Sequence, residues 1–558
     1  MAILGLIIFS SGFHNPFRGD DDLQIVQNTH IQSVGNIGSF FTGSTFYSFN
    51  QNEPLTGQYY RPLMTTTFSV IYTFFGANPF YFHLVQTLLI IGAAFFLYLL
   101  LSFSVRKDIA LLFSLLYLVH PLNSQIAFAI PSMQDALMQL FGLAGLWSLI
   151  RFPSTRGLIG TLVLLTLAMF SKEAGILYMV LALLLILLFN RSRIRLFSFS
   201  AISILVIYWF IREAAVGGAE VTNIGPISEA TFVTRLLTAP SIVMMYLSKF
   251  FWPANLSSSY NWLELGFSLS GFLLPLVLIL VFTGMTLFVC KLVRENADRL
   301  EFKTLIFYIT WLVLSLSVYL NIFKPLDMTA AEPWFAIPGI GLMGILAVTS
   351  QYLSGRHRSA PLVIAVILFS IVPLLAIRTY VRGGDWSTAQ KLAAQDIRTS
   401  SDNYIAYNDL ANSLFSSQDY STARSMAERS VSLYSTAVNN DTLGRSCIVL
   451  KDYACASKAF DEGLRHFVFA PTLINKSVLT AHYGDPSTNR EYLLMVTKYL
   501  PNQPYPWYYL ALVDHTKLNL QDEARAAIQN AYDLSPDPHI SELYRSIMSG
   551  GKSSTIIQ

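Results

Sequence analysis

The chain has 558 residues, 53% of them hydrophobic and 13% charged, with a formal net charge of +3 and a mean hydropathy of +0.47. That is too little polar material to cover a soluble globule of this size, so the chain reads as an integral membrane protein, and the small net charge, carried in short loops, excludes nucleic acid as a partner. The three cysteines, Cys290, Cys447 and Cys455, set out no disulfide framework and read as packing residues.

Up to residue 379, apolar runs able to cross about 30 Å of hydrocarbon alternate with short polar loops. They lie at 1–13, 79–103, 109–121, 134–150, 157–171, 174–190, 196–213, 265–290, 304–323, 334–353 and 360–378, eleven crossings in all. The first is short and lacks a basic flank, which raises the expectation that the native start lies upstream. Met64 to Gly76 is apolar but short and Thr-rich, and reads as a re-entrant or surface-lying helix within a long first loop, 14–78. Pro240 to Trp252 reads similarly, its aromatic end suiting the interfacial belt.

Loop charge tests this layout, because basic residues collect on the cytoplasmic side of short loops. With the N-terminus inside, Arg106 and Lys107, Arg151 and Arg156, Arg191, Arg193 and Arg195, and Arg356 and Arg358 fall on one side. The residues with chemical potential fall on the other. They are Asp20, Asp21 and Asp22, Arg61, His120, Lys172 and Glu173, Glu332, and everything after Arg378. Adjacent carboxylates raise one another's pKa, which is how a general base or a metal clamp is made. His83 and Asp135, inside or at the start of spans, are secondary candidates, and His120 before Pro121 reads first as a self-satisfied turn.

From residue 380 to 558 the apolar runs give way to amphipathic helical patterning. Tyr407, Leu410, Ala411, Leu414, Tyr420, Ala423, Ala427 and Ser430 follow the 34-residue tetratricopeptide spacing of two antiparallel helices. Leu443, Gly444, Tyr453, Ala456 and Phe460 repeat it, Trp507, Leu510, Ala524, Ile528 and Ala531 do so more loosely, and 472–503 reads as a degenerate pair. The expected fold is therefore all-α, a polytopic helical membrane domain followed by a helical solenoid of three to four units, which offers a docking surface for a protein partner.

Asn15 to Asp22, Tyr59-Tyr60-Arg61-Pro62-Leu63, His120-Pro121, Ser171-Lys172-Glu173, Phe251-Trp252-Pro253 and Tyr380-Val381-Arg382 before Asp385-Trp386 occur in an order that resembles the transmembrane and tetratricopeptide repeat-containing O-mannosyltransferases and their bacterial relatives. Those are GT-C glycosyltransferases. Three places depart from their pattern: Gly19 stands where relatives carry an aromatic residue before the acidic pair, Met133 where many carry an arginine, and Glu332-Pro333-Trp334 where the family has Glu-Arg-Tyr. The resemblance implies transfer of a sugar, mannose or another hexose, from a polyprenyl-phosphate carrier to a protein or glycan hydroxyl on the extracytoplasmic face, by a single inverting displacement. In that reading Asp20 or Asp21 is the general base, and Arg61 and Lys172, with Arg378 behind them, bind the carrier phosphate. A divalent Mg or Mn ion on Asp20 and Asp21 is an open alternative. The resemblance to compact bacterial members favours a bacterial inner membrane with a periplasmic repeat domain, or the endoplasmic reticulum membrane in a eukaryote.

The competing class is a non-catalytic scaffold or a transporter working through its repeat domain. A transporter places ionisable groups at mid-membrane depth in paired broken helices, whereas here the charges gather at the outer rim.

Overall fold

The computed structural model describes residues 1–46, 59–217 and 225–549. Among these the chain is helical throughout, with no strand beyond one antiparallel bridge between Tyr260 and Ala330. It divides into two compact units after Ser401.

Each of the eleven expected spans coincides largely with a helix, but 265–268 and 319–323 lie outside one and 109–121 crosses the break at His120. Among the described residues six helices are both long and apolar enough to cross a membrane: Pro79–Leu101, Arg191–Val216, Leu269–Asn296, Arg299–Val318, Glu332–Arg356 and Ala360–Asp385. A seventh span results if Lys107–Val119 and Pro121–Phe128, bent by 48° at His120, count as one. Ala2–Gly12, Thr155–Ser171 and Glu173–Phe189 are apolar but shorter. Eleven is thus an approximate count, because a run of apolar residues fixes composition and not the length of helix around it. The Thr-rich segment is the helix Pro62–Phe75, with Met64, Thr65, Phe68 and Ile71 buried. Pro at its first position suits a helix start, where the missing N–H is not needed.

The membrane unit continues beyond residue 379. Arg378 and Arg382 end the apolar run in the sequence, yet the helix runs on to Asp385, because Thr379, Arg382 and Gly383 are buried within the bundle. Thr379 donates to the Val119 carbonyl (2.6 Å), and Asn15 to that of Gly383 (3.3 Å). The helix Ala389–Thr399 also belongs to this unit, so the division falls later than the expected 379/380.

The second unit consists of four helix pairs, Tyr404–Ser416 with Tyr420–Leu433, Ala437–Val449 with Tyr453–His466, Ala470–His482 with Pro486–Tyr499, and Pro504–Thr516 with Gln521–Leu534, then Pro538–Met548. First helices starting at 404, 437, 470 and 504 keep the tetratricopeptide period. The small residues lie where the helices meet: Ala411, Ala423, Ala427, Ala456, Ala524 and Ala531 are fully buried. At Gly444 a Cβ would fall 2.2 Å from the Phe460 ring, so no larger residue fits there without a shift. Cys447 and Cys455 form a disulfide, their Cα atoms 5.9 Å apart, which corrects the reading of both as free packing residues. Lys451, at φ +61°, reverses the chain between their helices and brings together two residues that sequence spacing alone leaves unpaired.

Candidate functional site

The acidic loop is built on a glycine. Gly19 has φ +56°, a conformation open to glycine at little cost, and the amides of Asp21 and Asp22 bond back to the carbonyls of Arg18 and Gly19, both at 3.2 Å. An aromatic residue at this position would be strained, which accounts for the departure at Gly19.

The turn sends the three carboxylates different ways. Asp21 is buried, 3% exposed, and one of its oxygens accepts the Arg18 backbone N–H at 3.0 Å while the other has no hydrogen-bond partner. Desolvation pushes its pKa up to about 7, against the opposing pull of Arg18. Asp20 is reached by solvent, yet protein crowds it closely enough that desolvation raises its pKa too, and the charge acting on it is Arg61. Asp20 is thus exposed to solvent with the Arg61 cation acting on it. Asp22 is exposed and begins the helical turn Asp22–Val26.

Around Asp20 the structure gathers groups from four distant segments. Arg61 lies over the Tyr59 ring, 4.3 Å from its centroid, and pairs with Glu173 at 3.6 Å. The Tyr59 hydroxyl donates to Asp327 (3.2 Å), whose pKa burial raises. Lys172 donates to the buried Asp135 at 2.7 Å. Asp20, Arg61, Lys172, Glu173 and Asp135 thus form one neighbourhood, joined by Tyr59 and Asp327.

The remaining candidates lie elsewhere. Glu332 is fully buried and accepts from the Ser257 amide (2.8 Å) and the Tyr260 hydroxyl (3.0 Å). It faces Arg382, which is itself fully buried and pairs with Asp385 (3.0 Å) and Asp396 (3.8 Å). Trp386 ties this cluster to the acidic loop: the Arg18 guanidinium lies 4.7 Å from its ring centroid and donates to its carbonyl at 2.5 Å, and Arg382 lies 5.8 Å from the same ring. His83 is buried near Arg18 and Asn15. His120 is structural in its contacts: Nδ1 accepts the Leu122 amide (3.2 Å), Nε2 donates to the Phe250 carbonyl (3.0 Å), and its ring stacks on Phe250. Arg378 donates to the Ala254 carbonyl (3.0 Å), and its charged neighbours are Arg382, Asp385 and Glu332, not Asp20.

Sequence reasoning overlooked Tyr59, Asp327, Arg18, Arg382, Asp396 and Trp386 as site residues. Tyr59, Arg18, Arg382 and Trp386 sit inside the recognised motifs. Asp327 and Asp396 carry no local signal. Among the described residues no group of three or more His, Cys, Asp or Glu side chains is placed to hold a metal ion.

No family model matches the chain. It is 25% identical over 409 residues to protein O-mannosyl-transferase F38B6.6 of Caenorhabditis elegans, which covers 70% of this chain and 56% of that one. It is 29% identical over 191 residues to protein O-mannosyl-transferase TMTC1 of Homo sapiens, 32% of this chain and 22% of that one. The chain therefore spans about half the length of the first of these relatives and a smaller share of the second. Among solved structures, ArnT from Cupriavidus metallidurans bound to undecaprenyl phosphate aligns over 87% of this chain and 80% of its own, at 14% identity and a TM-score of 0.36. The tetratricopeptide protein YrrB aligns over 35% of this chain and 97% of its own, at 15% identity and a TM-score of 0.25. The resemblance carried by the order of motifs from Asn15 to Trp386 is thus one to proteins named protein O-mannosyl-transferases.

Proposed function

We propose that the membrane unit is a glycosyltransferase that moves a hexose, mannose by the resemblance, from a polyprenyl-phosphate carrier to a hydroxyl of a protein or glycan. The observation that carries this reading is the cluster in which Arg61, stacked on Tyr59 and paired with Glu173 beside the Lys172–Asp135 pair, acts on the exposed Asp20, in a chain similar to O-mannosyl-transferases.

An acceptor hydroxyl is too weak an acid to attack unaided at neutral pH, so its proton must pass to a base as the bond forms. Asp20 takes that proton on its carboxylate. The hydroxyl oxygen bonds to the anomeric carbon, the bond from that carbon to the phosphate oxygen breaks, and the electron pair leaves with the polyprenyl phosphate. The single displacement inverts the anomeric centre. Arg61 donates to the phosphate as its charge grows, held flat against Tyr59, which Asp327 orients. Lys172, fixed by Asp135, and Glu173 set the potential beneath Arg61. Because Asp20 is exposed, its proton can return to water. A divalent ion fits this arrangement poorly: among the described residues no three His, Cys, Asp or Glu side chains are placed together to hold one. No step is routed through a metal.

The extracytoplasmic placement of the site and of the repeat unit is part of the proposal. Two observations support it: basic residues gather in the opposite loops, and the Cys447–Cys455 disulfide belongs to an oxidising compartment.

The test uses membranes containing the full chain, given polyprenyl-phosphate mannose labelled in the sugar. Asp20→Asn is expected to lower transfer by a factor of about 100 or more, within the range of a lost general base. Transfer at the wild-type rate in a folded Asp20→Asn protein rejects the reading.

A further inference from the structure

A groove of about 520 Å³ runs along the last membrane helix, Ala360–Asp385, and shares no lining residue with the Asp20 neighbourhood. That helix turns most of its side chains outward: Leu362 is 69% exposed, Phe369 68% and Leu374 66%. Ile364, Ile367 and Ile371 form one wall, and Leu346 of the neighbouring helix lies opposite. Arg378 and the aromatic end of Phe232–Phe251 with Trp252 close the upper end.

We propose that this groove is a binding site for an anionic phospholipid of the surrounding bilayer, with one acyl chain along the helix and the phosphate on Arg378. A void of this size is not left empty by close-packed apolar walls, and its lining offers water few polar partners. Ile364 and Arg378 are fourteen residues apart, about 21 Å of helix at 1.5 Å per residue. That length accommodates an acyl chain of one leaflet, which spans about half of a 30 Å core.

The charges at the rim complement a phosphate. Among the described residues the Arg378 guanidinium donates to a single partner, the Ala254 carbonyl; its charged neighbours are Arg382, Asp385 and Glu332, none of which lines the groove. No carboxylate lines the groove. Trp252, 78% exposed, has the amphipathic ring that settles at headgroup level. The carrier of the proposed reaction is a poorer occupant, since its phosphate has to lie beside Asp20, whose cation is Arg61, and Arg378 is among the neighbours of neither.

Native mass spectrometry of the full chain, incubated in detergent with phosphatidylglycerol, phosphatidylcholine or undecaprenyl phosphate, tests this without requiring sugar transfer. The wild type is expected to retain one phosphatidylglycerol in at least fivefold preference to phosphatidylcholine. Arg378→Gln should lower that retention about tenfold and Ile367→Trp, which fills the groove, should abolish it. Asp20→Asn should leave it unchanged, which separates this site from the proposed transferase centre. The proposal is overturned if retention survives both groove variants, or if undecaprenyl phosphate displaces phosphatidylglycerol in an Ile367-dependent way, which assigns the groove to the carrier. Circular dichroism shows that each variant is folded, and Arg378→Gln, at the rim, keeps the test standing should Ile367→Trp fail to fold.

Discussion

Replacing Asp21 by Asn and Asp20 by Asn should give opposite outcomes, although the two residues are adjacent and chemically identical. Asp21 holds the turn through a single accepted N–H from Arg18, a bond that an amide oxygen accepts equally well. Its carboxyl group moves from the ordinary 3.8 to about 7 in the fold. The folded state therefore binds this proton more tightly than the unfolded chain, and the group's contribution to stability falls as pH rises from about 4 to about 7, then stays level. Three pKa units at 1.36 kcal/mol each make that loss about 4 kcal/mol. Asn cannot ionise, so Asp21→Asn should exceed the wild type by only about 1 kcal/mol near pH 4.5 and by up to about 4 kcal/mol at pH 8. Thermal unfolding in detergent, followed by tryptophan fluorescence at pH 4.5, 6 and 8, reads this directly. In the transfer assay Asp21→Asn should keep activity within about tenfold while Asp20→Asn loses it, a contrast that follows from only one of them being the base. An Asp21→Asn protein that is folded, no more stable at pH 8 and as inactive as Asp20→Asn would refute both the turn and the division of roles.

Arg61→Gln removes the cation that favours the ionised Asp20, so the acidic limb of kcat/KM against pH should move to higher pH while the maximum falls; an unmoved limb denies that Arg61 acts on the base. Lys172→Met strands the buried Asp135 carboxylate and should cost about 3–5 kcal/mol of stability, with Asp135→Asn in the same chain restoring most of it. The double variant melting no higher than Lys172→Met would show that the ion pair is not what stabilises this helix junction. Cys455→Ser opens an eight-residue link in the repeat unit and should lower its stability by about 2–3 kcal/mol on the chain-entropy estimate, read by urea unfolding with and without reductant. Equal unfolding midpoints in the two conditions would count against the disulfide.

The features legible in the sequence are those that burial writes into residue type over many positions. The apolar runs and the alanines at 33- and 34-residue offsets are of this kind, because a membrane core and a helix seam each tolerate few alternatives. The crossing count was less secure, since Thr155–Ser171 and Glu173–Phe189 are apolar but shorter than a full span. The end of the membrane unit was misread for a related reason. A sequence marks Arg382 as charge and hence as surface, whereas in the fold it is fully enclosed by the carboxylates of Glu332, Asp385 and Asp396.

The site was legible as a set of residues and not as an arrangement. Composition and spacing gather three aspartates but cannot separate them, because what distinguishes Asp20 from Asp21 is the direction each leaves a turn fixed by the φ of Gly19. Nor can they supply Asp327, which reaches Tyr59 across 268 positions, or Asp396, which meets the Ser258 amide across 138. Such partners are single polar residues with no periodicity around them, and only the folded chain brings them near. Lys172 and Arg378 show the same limit from the cationic side: both were assigned to one phosphate, Arg378 behind Lys172, yet one is held by Asp135 within the Arg61 neighbourhood and the other stands at the end of an apolar groove. A basic residue at a membrane surface thus tells which chemistry is available, and the carboxylates beside it decide whether that chemistry faces a substrate, a partner side chain or the bilayer.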